Sequence, residues 1–405
     1  MYTLYSLTSG LHSEPVAEPA DERFIQDIEE ALGEAFEFGS TDFSEYSRTR
    51  NNIIYVRTGG TEGIFKSIFC KEGSLNIPDG MPVRLLTSGK SNSLAASMEI
   101  LSFLNRVGWP GEILHGSAEE IALRLRGGFT KGGKNHVKEY DMGRILEGYK
   151  VGVIGKPSDW LISSDVDYAV AKERLGVEIV DINELVGLAE EPDRKWLEGL
   201  KLNPPNKPKF GKSISGKDFS GSMDIYCAMK TLVERYGLAG VSLRCFDLLT
   251  ALGNTGCMAL AILNSQGVVA TCEGDIPTLL SMCIAHQKFG ISGFQANLSR
   301  IDGDKMLFAH CTVPLNMVEE YSYDTHFESG IGVAVHGVLP AGAARIFKLS
   351  PDCSEMFLED VEILENQYND CLCRTQILVD APGLADYFLR SPIGNHHVII
   401  PERRQ

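Results

Sequence analysis

Long apolar runs are missing from this chain. No stretch of its 405 residues approaches the ~18 consecutive apolar side chains needed to cross a bilayer, so the reading excludes a membrane partner. The first ten residues, MYTLYSLTSG, lack a basic flank ahead of an apolar core, so no targeting segment is read there and a cytoplasmic location is expected. Cationic charge is also scarce: 38 Lys and Arg stand against 54 Asp and Glu, a net charge of −16. A field of that sign repels polyphosphate, which argues against nucleic acid as a partner. Zinc-knuckle and redox CxxC spacings are absent, for the ten cysteines are scattered and the one close pair is Cys371 and Cys373. They are read as reduced, mostly buried thiols. The segment Gly152-Val153-Ile154-Gly155-Lys156-Pro157 lacks the three-glycine spacing of a dinucleotide fingerprint. Neither an internal repeat nor a low-complexity tract is present.

What remains is the composition of a globular α/β protein, 43% apolar and 23% charged, long enough for two or three domains. From residue 50 to 126 strand-like and helix-like patterns alternate. Ile53–Arg57 is followed by the turn Gly59-Gly60-Thr61 and an apolar helix. Val83–Thr87 precedes a helix marked by Leu94, Met98, Leu101 and Leu104. Glu112–Leu114 precedes a helix opened by a Ser117/Glu120 capping box. A second series begins at Val151, with strands at 151–154, 177–180, 241–246, 267–271, 293–296 and 306–310 and helices in the gaps. After about residue 316 the runs 331–335, 344–349, 356–364 and 371–379 are strand-like with little helix between them. The expectation is two Rossmann-like parallel α/β domains, 1–148 and 149–315, followed by a mainly antiparallel β domain, 316–405. Between 190 and 218, Lys201, Lys207, Lys209, Lys212 and Lys217 with Pro204, Pro205 and Pro208 read as an exposed loop, or as a border that steers an anionic sugar.

Ligands of open parallel sheets bind beyond the carboxyl ends of the strands, so those positions are the ones to inspect. There stand Cys272-Glu273-Gly274-Asp275, then Ala296-Asn297, then Ala309-His310-Cys311. Carboxylate, amide and imidazole on one rim suit a divalent cation such as Mn²⁺ or Mg²⁺. The same Glu273 and Asp275 read equally well as caps of a helix starting near Ile276. Asp159 and Trp160 follow a strand and either hold a sugar or seal a domain junction. In Gly394-Asn395-His396-His397 the two imidazoles point to opposite faces of a strand, so at most one faces a given site. His326 is either a ligand-binding or a structural residue.

The motifs Cys-Glu-Gly-Asp (272–275), Phe-Gln-Ala-Asn (294–297), Ala-His-Cys-Thr-Val-Pro (309–314) and Gly-Asn-His-His (394–397) together resemble, in order and spacing, the L-fucose isomerase and L-arabinose isomerase superfamily. The likeness runs from about 150 to 405. It implies a metal-dependent aldose–ketose isomerase, with Mn²⁺ or another divalent cation and a homo-oligomer, trimer or hexamer. It implies Glu273 as metal ligand and base and His396 or His397 as the C-terminal ligand, and Asp275 is expected as the second catalytic carboxylate. Together with the residues read above, this leaves Asp159, Trp160, Asn297, His310 and His326 as the ones expected around the sugar. Asn297 stands where the superfamily has an acidic ligand and can neither carry a proton nor add charge. Either Asp275 or Glu328 then substitutes, or the chain is a sugar-binding relative without turnover.

Overall fold

The structure, a computed structural model, describes residues 1–10, 18–47, 50–71, 74–77, 80–129, 136–203 and 214–402. Three sheets organise it. The first is parallel and five-stranded, in the order Glu37–Phe38, Tyr2–Leu7, Asn51–Val56, Val83–Thr87 and Gly111–Leu114. Its inner strands are buried almost throughout, as expected where helices cover both faces. Among these helices are Glu62–Phe69, Ser93–Arg106 and Ala118–Gly127, and the last opens on the Ser117/Glu120 capping box that the sequence shows. Tyr2–Leu7 escaped the reading because six residues at the start of a chain carry too little pattern; its pairing with Asn51–Val56, fifty residues away in sequence, makes it a strand.

The second sheet is parallel and four-stranded: Glu178–Ile182, Lys150–Ile154, Gly240–Leu243 and Val269–Cys272. The third is antiparallel and runs Gly342–Leu349, His397–Pro401, Phe294–Asp302, Lys305–His310, Thr375–Asp380 and Glu355–Gln367. Its last strand pairs back onto Gly342–Leu349, closing a six-stranded barrel, and Val137–Glu139 adds to Glu355–Gln367 from outside. This corrects the reading of 293–296 and 306–310 as strands of the parallel series. They form one antiparallel hairpin of the barrel, joined by the turn at Gly303. The parallel sheets are present as expected, and the six strands that close the barrel begin at Phe294. One buried apolar cluster passes through all three sheets, from Tyr5 and Ile54 through Ile154 and Val241 to Phe294 and Ile377. The three sheets are therefore packed on a common core. No helix among the described residues is long and apolar enough to cross a membrane, and eight of the ten cysteines are buried.

Candidate metal and sugar site

The Val269–Cys272 strand ends in a backbone arrangement that only certain residues allow. Glu273 has φ of 67° and Gly274 φ of 70°, two successive left-handed residues. A Cβ on Gly274 would lie 2.4 Å from the Lys156 carbonyl oxygen, so glycine is obligatory there. Left-handed backbone at a non-glycine residue is a strain that surrounding structure must hold, and such residues concentrate at functional sites. Two clips do the holding. The Gln295 side chain accepts from the Cys272 amide (2.8 Å), and the Ser158 amide donates to the Glu273 carbonyl (2.9 Å). Asp275 then caps the Ile276–Phe289 helix, accepting from the Thr278 amide at 2.7 Å.

The turn aims Glu273 at two imidazoles from the barrel. His310 ends one barrel strand and His396 immediately precedes another. One ligand atom each of Glu273, His310 and His396 falls within 4.8 Å of the others. Glu273 Oε1 is 3.4 Å from His396 Nε2 and 3.8 Å from His310 Nε2. His396 Nε2 is buried without a hydrogen-bond partner. Donors so spaced can share one ion at the usual roughly 2.0–2.2 Å, and one carboxylate with two imidazoles is a common borderline-metal donor set. Behind it, His396 Nδ1 donates to Asp275 Oδ2 (2.8 Å), and Asp275 also faces the fully buried Lys348 ammonium (3.5 Å). A carboxylate behind a ligating imidazole fixes its tautomer and orientation. Trp160 Nε1–H donates to Glu273 Oε2 (2.6 Å), and His310 Nδ1 lies 2.9 Å from Thr312 Oγ1.

Glu273 reaches the wall of a cleft whose empty space, open mouth included, is about 390 Å³, and His310 and His396 lie buried behind that wall. Its walls come from the carboxyl ends of both parallel sheets: Gly59, Gly60, Glu62 and Asn92 from the first, Trp160, Phe246 and Glu273 from the second. Asn297, Glu328 and Asn395 complete it from the C-terminal part. Glu62 Oε2, Asn92 Oδ1, Asn297 Oδ1 and Asn395 Oδ1 are buried without hydrogen-bond partners. Buried oxygens left bare are costly unless a ligand or water meets them.

The electrostatics separate the carboxyls. Burial raises Glu273, but His396 and His310 outweigh it and hold its carboxylate well below the usual range. Burial lowers His396, yet Glu273 and Asp275 on either side push it up to about 10. Glu328 is pushed up to about 7 by burial and by Glu273, while accepting from Asn92 Nδ2 at 2.9 Å.

Several expected site residues lie elsewhere. Asp159 is exposed and both its oxygens are taken by Arg244, so it staples two loops and does not face the cleft as Trp160 does. His397 is turned to the far side of its strand, boxed by Phe357, Tyr387 and Phe388, with its ring nitrogens near Asn395 O and Tyr387 Oη. Alternation along the strand separates it from His396. Asp275 is fully buried behind His396 and is absent from the cleft lining, because the helix amide and Lys348 hold it. His326 packs edge-on against Phe246, behind the cleft wall, with Nδ1 near Ser329 Oγ (3.0 Å). Of the Lys-rich segment, Lys201 and Lys217 are exposed, and Lys207, Lys209 and Lys212 lie outside the described residues. Glu62 and Asn92 were not foreseen. The rule of inspecting strand ends would have found them had it been applied to the Gly59-Gly60 and Ser88–Ser93 loops.

No protein-family model matches the chain. Among curated proteins it is similar to the sulfoquinovose isomerases of Priestia aryabhattai and Priestia megaterium (strain ATCC 12872 / QMB1551). Each is 23% identical over 273 residues, covering 64% of this chain and 59% of theirs. The sulfoquinovose isomerase of Alkalicoccus urumqiensis is 22% identical over 227 residues, 54% of this chain and 49% of its own. The matches thus span three fifths or less of these relatives' length. By their names these relatives are isomerases of a sugar.

Proposed function

We propose that the chain is a metal-dependent aldose–ketose isomerase, related in chemistry to the L-fucose and L-arabinose isomerases that its motifs resemble. The observation that carries the reading is the convergence of His310 and His396 on Glu273, which itself lines a cleft with bare amide and carboxyl oxygens and an indole. These three would hold Mn²⁺ or a similar divalent ion, which when bound supplies a Lewis acid to adjacent sugar oxygens. Moving a proton between C1 and C2 through a cis-enediol also needs a group that takes and returns it. Glu328 suits that task, since a carboxyl near 7 exchanges protons readily at neutral pH. Glu273, held well below the usual range, is the better ligand and the poorer base. Asp275 is a positioning residue for His396, Trp160 holds the second oxygen of Glu273, and Asn297 and Asn395 offer acceptors to sugar hydroxyls. The substrate is a monosaccharide. The relatives' names make sulfoquinovose, a sulfonated sugar, the first to try, although no Lys or Arg occurs among the described lining residues. The resemblance further implies a cytoplasmic trimer or hexamer.

The test is exchange of the C1 or C2 proton with solvent deuterium, followed by NMR with Mn²⁺ over a panel of neutral and sulfonated aldoses and ketoses. The wild type should exchange one of them, and Glu328→Gln should slow this at least about a hundredfold while still binding the sugar. Undiminished exchange in Glu328→Gln would remove that residue from the chemistry. A wild type that binds a sugar and exchanges nothing would favour the alternative, a relative that lost turnover with Asn297 at the acidic position.

A further inference from the structure

Three carboxyls line the cleft, and the proposed chemistry uses only Glu273 and Glu328. The third, Glu62, opens the Glu62–Phe69 helix behind the Gly59-Gly60 turn and is 2% exposed. Its Oε2 has no hydrogen-bond partner. Its position is tightly determined. The Gly59 amide donates to Ser91 O at 2.7 Å, and a Cβ on Gly59 would sit 3.0 Å from Asn92 Cβ, so the two N-terminal loops are locked together. A Cβ on Gly63 would lie 3.4 Å from the Asp159 carbonyl oxygen, so the start of the helix rests on the loop that carries Trp160.

Burial pushes this carboxyl well above the usual carboxylate range, and Glu99, Glu273 and Glu328 add to the effect. The bare Oε2 of Glu62 accepts from a hydroxyl whether the carboxyl is charged or neutral, and the neutral form can also donate to one. Asn92, beside it, has its amide nitrogen committed to Glu328 and its oxygen bare. A bare acceptor there calls for a hydroxyl donor and disfavours a group that only accepts, such as a sulfonate.

We propose that Glu62 is a specificity-determining residue, its side chain reading one hydroxyl of the sugar from the wall that the N-terminal sheet contributes. The inference rests on the proposed function only in taking the ligand to be a sugar. Leaving the carboxyl unmatched is what penalises an analogue lacking that hydroxyl.

The experiment is calorimetric binding, with Mn²⁺ present, of the best sugar of the panel and its monodeoxy analogues to wild type, Glu62→Ala and Glu62→Gln. Wild type should bind one analogue about tenfold or more weakly. Glu62→Ala should bind the parent sugar about as weakly as that, and should lose nothing further on the same analogue. Glu62→Gln, of nearly the same shape, keeps the test open if Glu62→Ala does not fold, and its discrimination against that one analogue should shrink. Losses that simply add, or that fall equally on every analogue, would overturn the inference, as would a wild type that binds no sugar. Deuterium exchange run alongside separates the two readings: sugar bound without exchange overturns the isomerase and leaves the result on Glu62 standing.

Discussion

Replacing Asp275 by Asn should destabilise the protein far more than replacing its partner Lys348 by Met. Both side chains are wholly buried. Lys348 Nζ has the Thr278 hydroxyl at 2.8 Å and the Asp275 carboxylate at 3.5 Å. Asn keeps the helix cap and the shape but leaves the ammonium without its counter-charge, and an uncompensated buried charge costs about 3–5 kcal/mol. In Lys348→Met the carboxylate still has the His396 N–H at 2.8 Å and the Thr278 amide at 2.7 Å, so about 1–2 kcal/mol is expected. Over 405 residues, an unfolding entropy of about 2.1 cal/mol/K per residue turns the larger cost into a fall in melting midpoint of roughly 4–6 °C. The double variant should be more stable than Asp275→Asn alone by at least about 1.5 kcal/mol, because Met removes the stranded charge. Thermal and urea unfolding at pH 7 of the four proteins measures this. Single costs that add, with no recovery in the double variant, would refute the buried pair.

Glu273→Gln should weaken Mn²⁺ binding at least about a hundredfold in calorimetry while leaving the melting profile cooperative; unchanged affinity would sink the metal assignment. His115 is half-buried, accepts from the Ile301 amide at 3.0 Å and is pushed down to about 4 by desolvation. Between about 6.5 and 4 the unfolded chain therefore binds a proton that the folded one does not. Stability should fall by about 3 kcal/mol as pH drops through that window, and His115→Gln should flatten the decline in urea midpoints. Asn297→Asp would add a fourth carboxyl to the cleft and should lower sugar exchange. A gain over an inactive parent would instead mark Asn297 as the lesion in a chain that lost turnover.

The amino-acid order by itself determined the alternation of strand and helix from Asn51–Val56 to Val269–Cys272, the Ser117 capping box, and the Cys-Glu-Gly-Asp motif at a strand end. These depend on neighbours in sequence: periodicity, a cap three residues ahead, and polar residues directly after an apolar strand. It also pointed to Glu273, His310 and the paired histidines, and to Asp275 or Glu328 as a stand-in for the missing acid. Tertiary structure decided what depends on residues far apart. It turned the Phe294–Asp302 and Lys305–His310 strands into a barrel hairpin, because strand direction is a matter of partners and those partners are Thr375–Asp380 and His397–Pro401. It put His396 beside Glu273 and sent His397 into an aromatic box, a choice that strand alternation permits in either sense until the strand is docked. It drew Asp275 back behind His396, tied Asp159 to Arg244, and brought Glu62 and Asn92 to the cleft from a region without a recognisable motif. A cleft between sheets is built from chain segments hundreds of residues apart, and only their packing brings those side chains together.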